Sequence, residues 1–161
     1  MTGKTFVDTN VLIYAHDLDA GPRRQRAAER LTELWNTRDG RLSTQVLQEF
    51  YVNVTQKIRV PLSRSAAREV VRNYTAWVES PITPATVLRA SEIGEIWQIS
   101  FWDGMILAAA EQDHVSQLLS EDLTHGMLRE LDEQAARLNV SRQAIIKTLL
   151  RQALNEGRGN R

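Results

Sequence analysis

Four short runs of β-branched or apolar character, residues 4–7, 40–43, 78–83 and 115–119, alternate along the chain with longer segments of helical period. This alternation is the strongest constraint on the fold, because strands joined by helix-length crossovers pair in parallel and carry helices on their faces. An α/β fold is therefore expected, with a parallel central sheet of about four strands flanked by helices. Between the first two runs, "GPRRQRAAERLTELW" puts Pro22 near a helix start and spaces Ala27, Leu31, Leu34 and Trp35 on one face. "STQVLQEFYVNVTQKI" opens on Ser43 or Thr44 as N-cap and carries Val46, Leu47, Phe50 and Val54 as its stripe. Two further helices are expected in "SRSAAREVVRNY" and "TPATVLRASEIGEIW". The small residues of "FWDGMILAAAEQ" suit a helix packed close against the sheet.

A chain of 161 residues forms one core of ordinary size, or one domain with a small appendage. No apolar run approaches the ~20 residues of a membrane span, and the N-terminus lacks the basic-then-apolar layout of a signal peptide. A cytoplasmic protein with no membrane partner is expected. The absence of cysteine excludes disulfides, thiolate nucleophiles and cysteine-based metal sites, while His16, His114 and His125 show no ligand spacing. Any metal must be held by oxygen. Basic and acidic residues balance at 20 each, yet residues 1–127 carry 13 against 16 and residues 128–161 carry 7 against 4. The chain thus divides into a main domain, 1–127, and a tail, 128–161, of different character.

The right-handed crossovers of a parallel sheet bring the C-terminal ends of its strands to one edge, where α/β proteins bind ligands. Asp8 ends the first run, Asp122 follows the last, Asp103 falls in the first turn of a helix, and Glu49 lies at the margin of an apolar stripe. Taken singly, these are a helix cap, a turn residue, a first-turn acid and a surface acid. Yet all four sit in apolar or aromatic sequence: "FVDTN", "LLSED", "SFWDGMI" and "VLQEFY". Carboxylates crowded in such surroundings drift toward neutrality unless a cation compensates them. A hard divalent ion such as Mg²⁺ does so with oxygen ligands alone.

The stretches "FVDTNVLIYAHD", "STQVLQEFYVNVTQK", "SFWDGMILAAA" and "LLSEDLTHG" resemble the four acidic motifs of PIN-domain ribonucleases of the VapC type, the toxins of toxin–antitoxin pairs. The resemblance spans about residues 4–127. It implies a PIN-like fold, with Asp8, Glu49, Asp103 and Asp122 as catalytic, metal-binding acids and Asn10 and Ser120 as polar supports. It also implies Mg²⁺- or Mn²⁺-dependent hydrolysis of RNA and a cognate antitoxin as partner; a homodimer is expected as well. Phosphodiester hydrolysis needs charge stabilisation more than a covalent nucleophile, which suits a site built from carboxylates. A haloacid-dehalogenase-type phosphotransferase is the competing enzyme class, but it needs a proton-donating acid two residues after its first Asp. Asn10 stands there, and an amide cannot donate that proton. Arg23, Arg24, Arg26 and Arg30 form a basic face that could track phosphates, although such a run more often faces water. Trp102 and Tyr51 lie beside the acids; core packing is the first expectation for each and base stacking the second.

The tail has a helical stripe at Leu131, Ala135 and Leu138, then Ser141 as the cap of a second helix bearing Ile145, Ile146, Leu149, Leu150 and Leu154. This helical pair resembles the two helices of a ribbon-helix-helix protein, the DNA-binding class of many antitoxins, with "NVSRQAIIKTLL" the best match. An antitoxin-like DNA-binding regulator is the alternative function that the tail suggests. Such proteins read the major groove with a strand of alternating residues before the first helix. "DLTHGMLRE" offers no alternation, so the expectation is against DNA binding and for contact with protein.

Overall fold

The structure, a computed structural model, describes residues 3–120. Its sheet has three parallel strands, β1 (Thr5–Val7), β2 (Gly40–Arg41) and β3 (Gln117–Leu119), in the order β2-β1-β3. Thr5 pairs with Gly40 on one side of β1 and with Gln117 on the other, and Val7 pairs with Leu119. The central strand is buried along its whole length, as a parallel strand covered on both faces must be.

Two helices, α1 (Thr9–His16) and α2 (Pro22–Thr37), lead from β1 to β2. Four more, α3 (Thr44–Val52), α4 (Arg64–Tyr74), α5 (Pro84–Trp97) and α6 (Phe101–Gln112), lead from β2 to β3. The caps follow the sequence. Ser43, Ser63 and Ser100 each accept a hydrogen bond from the backbone N–H three residues on, satisfying donors that a helix start leaves unpaired. Beyond α3 the chain widens into a π-type turn over Asn53–Lys57, where the Ile58 N–H donates to the Asn53 carbonyl at 3.1 Å. The main core gathers Phe6, Leu12, Leu42, Val46, Phe50 and Val54, side chains that each contribute ~1.5–3 kcal/mol when fully buried. A second core joins α5 to α6 through Ala90, Ile93, Met105, Leu107 and Ala108.

The expected fourth strand over residues 78–83 is not one, so the described sheet has three strands instead of about four. The segment begins beside β2, where the Leu42 N–H donates to the Trp77 carbonyl at 3.1 Å, and then leaves the ladder. Pro81 has no N–H to give. Glu79 ties the segment down through its side chain, which binds Lys4 Nζ at 2.8 Å and Arg41 Nε at 2.5 Å. Gly40 is required where Trp77 crosses β2, since a Cβ there would lie 2.6 Å from the indole ring. Near this group Asp113 is buried, with Oδ1 unpartnered among the described residues. Burial raises its carboxyl above the ordinary value and the charge of Glu79 adds to the rise, against a Ser80 hydrogen bond and the charges of Arg41 and Lys4.

No described helix is long and apolar enough to cross a membrane. Asp122 and the helical pair expected in 128–161 lie outside the described residues.

Candidate active site

In the order β2-β1-β3 the chain leaves β1 toward one neighbour and later returns on its other side. Such a reversal opens a crevice at the C-terminal ends of the strands. Asp8 stands there, directly after β1. Its own N–H donates to the Leu119 carbonyl at the end of β3, at 3.0 Å. Ser120 follows β3 and donates its hydroxyl to Asp8 Oδ2 at 2.8 Å. The other carboxylate oxygen, Oδ1, accepts the Thr9 N–H at 2.7 Å and so caps α1. The cap and the sheet-edge reading of Asp8 therefore hold together. One carboxylate starts the helix and faces the crevice.

Glu49 reaches the same place from α3. Its Oε2 accepts the Thr9 hydroxyl at 2.6 Å and its Oε1 accepts Gln45 Nε2 at 2.8 Å. Thr9 thus bridges two acids, giving its N–H to Asp8 and its O–H to Glu49. Asp103 sits in the first turn of α6, half-buried, with its N–H bonded to Ser100 Oγ at 3.1 Å and its Oδ2 accepting the Ser100 hydroxyl at 2.7 Å. Ser100 thus caps α6 and at the same time holds the Asp103 carboxylate, and the helix start favours the negative charge. Asn10 lies in the first turn of α1, two residues after Asp8.

The electrostatics tie these acids together. Burial pushes the Asp8 carboxyl above its ordinary value; hydrogen bonds from Ser120 and Thr9 pull it back, and the charges of Glu49 and Asp103 raise it again. Glu49 and Asp103 are thus each close enough for their charges to act on Asp8. Among the described residues no three His, Cys, Asp or Glu side chains close to within ligand distance of a common point. The carboxylates stand apart, each held by a hydroxyl or amide donor.

Thr9, Gln45 and Ser100 were not singled out by sequence. Ser100 had a readable signal, the S-x-x-D spacing before a helix. Thr9 had only its place beside Asp8, and Gln45 had none. Trp102 departs from its first expectation of core packing, since 63% of it is exposed, whereas Tyr51 packs half-buried against the main core. Of the arginine face, Arg23 stacks over the Tyr14 ring at 5.2 Å and Arg30 pairs with Glu33, so at least half of it is already engaged within the protein.

A comparison with curated proteins gives no match to this chain. A scan against protein-family models matches the PIN domain over residues 5–138, a span that holds Asp8, Glu49, Asp103 and Asp122. PIN domains are typically nucleases, and with most of its length matched the chain belongs to the PIN domain family.

Proposed function

We infer that the protein is a metal-dependent ribonuclease that hydrolyses RNA phosphodiester bonds at a site made by Asp8, Glu49, Asp103 and Asp122. The observation that carries this reading is geometric: at the C-terminal end of the central strand Asp8 and Glu49 meet on Thr9, which gives its N–H to one and its hydroxyl to the other, while Ser120 holds the second oxygen of Asp8. A protein gains nothing in stability from gathering like charges there. A cation is what gives the arrangement a purpose.

The donor set fits a hard divalent ion. It consists of carboxylate and hydroxyl oxygens, the chemistry that suits Mg²⁺ or Mn²⁺, and Asp8, Glu49, Asp103 and Asp122 would hold it. When bound, such an ion supplies the positive charge that a phosphodiester requires as its leaving oxygen departs. The protein's own contribution is orientation. Ser120 and the Thr9 N–H fix the plane of the Asp8 carboxylate, Thr9 Oγ1 and Gln45 fix that of Glu49, and Ser100 fixes Asp103. Acids held in this way lose little freedom on binding a cation.

In its cellular role this reading makes the protein the toxin of a toxin–antitoxin pair, acting in the cytoplasm as a homodimer with a cognate antitoxin. The four motif stretches support that role. The test is cleavage of labelled RNA by the purified full chain with Mg²⁺ or Mn²⁺. Cleavage that stops with excess EDTA and is lost in Asp8→Asn is the expected result. Full activity in EDTA, or undiminished cleavage by Asp8→Asn, would overturn the assignment.

A further inference from the structure

Gln45 puts an amide where the fold would be better served by a hydrocarbon. It lies in the first turn of α3 and is only 5% exposed, on a helix whose neighbouring Val46, Leu47 and Phe50 are core. The helix start is already capped by Ser43, so the amide is not needed there. Among the described residues its side chain makes one hydrogen bond, from Nε2 to Glu49 Oε1 at 2.8 Å, one helical turn further on. Its own oxygen, Oε1, is buried and has no partner among the described residues. A buried acceptor without a donor is unfavourable, and folds leave few of them. Turning the amide over would not cure this, because it would set oxygen against the oxygen of Glu49. A methionine, unbranched and apolar, would fill the place without the orphan.

What the amide supplies is the second of two donors on one carboxylate. Glu49 Oε2 accepts the Thr9 hydroxyl at 2.6 Å, and Oε1 accepts Gln45. Each carboxylate oxygen has two lone pairs, so one donor apiece leaves one free on each. Both donors are also neutral. A lysine or arginine in the same place would hold Glu49 as firmly, but it would cancel the charge that a cation needs.

We propose that Gln45 is a positioning residue that sets the affinity of the site for a divalent cation through Glu49, and that the fold keeps it at a cost to its own stability. This rests on the metal-dependent reading and deepens it by naming a side chain outside the four acids on which cation affinity depends. With Gln45 present, Glu49 is held at both oxygens. Without it only the Thr9 hydroxyl remains, and the carboxylate turns about its last bond, whose torsional preference is broad. Freedom of that kind has to be given up when a ligand binds.

The experiment uses the full chain, Gln45→Met, and as a control Gln48→Met, which alters an exposed glutamine of the same helix. Mn²⁺ affinity is measured without RNA, by the electron paramagnetic resonance of the free ion, and stability by urea unfolding in EDTA. Gln45→Met is expected to bind Mn²⁺ about ten-fold more weakly, with a urea midpoint in EDTA no lower than that of the parent protein. The Mn²⁺ concentration for half-maximal RNA cleavage should rise by a similar factor, and Gln48→Met should match the parent in every measurement. Equal Mn²⁺ affinity in Gln45→Met and the parent overturns the proposal, as does an equal loss in Gln48→Met. So does a lowered midpoint in EDTA, which would make the bond from Gln45 to Glu49 a prop of the fold. A parent protein that binds Mn²⁺ more tightly than Gln45→Met but cleaves no RNA would overturn the ribonuclease reading alone. One that binds no Mn²⁺ would overturn both.

Discussion

An asparagine at position 8 still accepts the Thr9 N–H, because asparagine caps helices about as well as aspartate. What Asp8→Asn removes is a charge that the fold holds unwillingly. Below its ordinary value of 3.8 the carboxyl is protonated in both folded and unfolded chains and makes no difference to stability. Between 3.8 and its raised native value, the folded protein keeps a proton that the unfolded chain has released. Stability therefore falls as pH rises through that window, and the loss is constant above it. Urea unfolding in EDTA from pH 4 upward should show Asp8→Asn at least as stable as the parent at neutral pH, with a shallower decline. A variant that is less stable than the parent at neutral pH would mean that the crowded acids do not penalise the metal-free fold. The placing of acids in apolar sequence was legible beforehand, since a carboxylate inside "FVDTN" or "SFWDGMI" has to be explained by a partner or a ligand. The bridging role of Thr9 was not. Its hydroxyl partner, Glu49, lies 40 positions away, and no local pattern reports a contact made only by the approach of α3 to α1. The exposure of Trp102 was hidden for a similar reason. A tryptophan beside apolar residues reads as core until the packing of its own helix is known.

At the scale of elements, α5 and α6 approach so closely that only glycine fits at position 104. A Cβ there would lie 2.4 Å from the Ala90 carbonyl oxygen, which belongs to backbone and cannot swing aside. Gly104→Ala must push the helices apart, opening the small core of Ala90, Ile93 and Met105. The expected loss is about 1–3 kcal/mol in urea unfolding. Cleavage should fall as well, since Asp103 is the adjacent residue. A stability unchanged within about 0.5 kcal/mol would show that the backbone yields there at little cost. The helices were legible because their signals are local: Pro22 in the first turn of α2, serines at the caps of α3, α4 and α6, and stripes at helical spacing. The 78–83 segment was misread because its β-branched residues match a strand composition. Whether such a run joins a ladder depends on its N–H groups finding carbonyls. Pro81 and the side-chain anchoring of Glu79 send it elsewhere.

At the scale of the molecule, the three strands among the described residues have at most three residues each; Asp8 follows one of them, Glu49 and Asp103 stand on helices, and helices supply most of the buried side chains. Such a body depends on how its apolar faces are closed. The family match runs to residue 138, past the division at residue 127 that the change in charge suggests. A chain cut after residue 127 therefore lacks part of the matched span, while one cut after 138 keeps all of it. The segment removed in both cases bears Ile145, Ile146, Leu149, Leu150 and Leu154, and burying each such side chain is worth ~1.5–3 kcal/mol. Several kilocalories per mole of apolar surface call for a protein partner, either the body or a second copy. With Leu88 67% and Ile96 61% exposed, α5 presents aliphatic surface of its own. Deleting residues 139–161 should thus alter the assembly seen by light scattering while leaving helical content per residue and duplex-DNA affinity nearly unchanged. Deleting 128–161 should in addition lower the unfolding midpoint, because it cuts into the matched domain. An unchanged assembly together with lost DNA binding in the 139–161 deletion would reverse the role assigned to the tail, making it a reader of DNA instead of a contact between proteins.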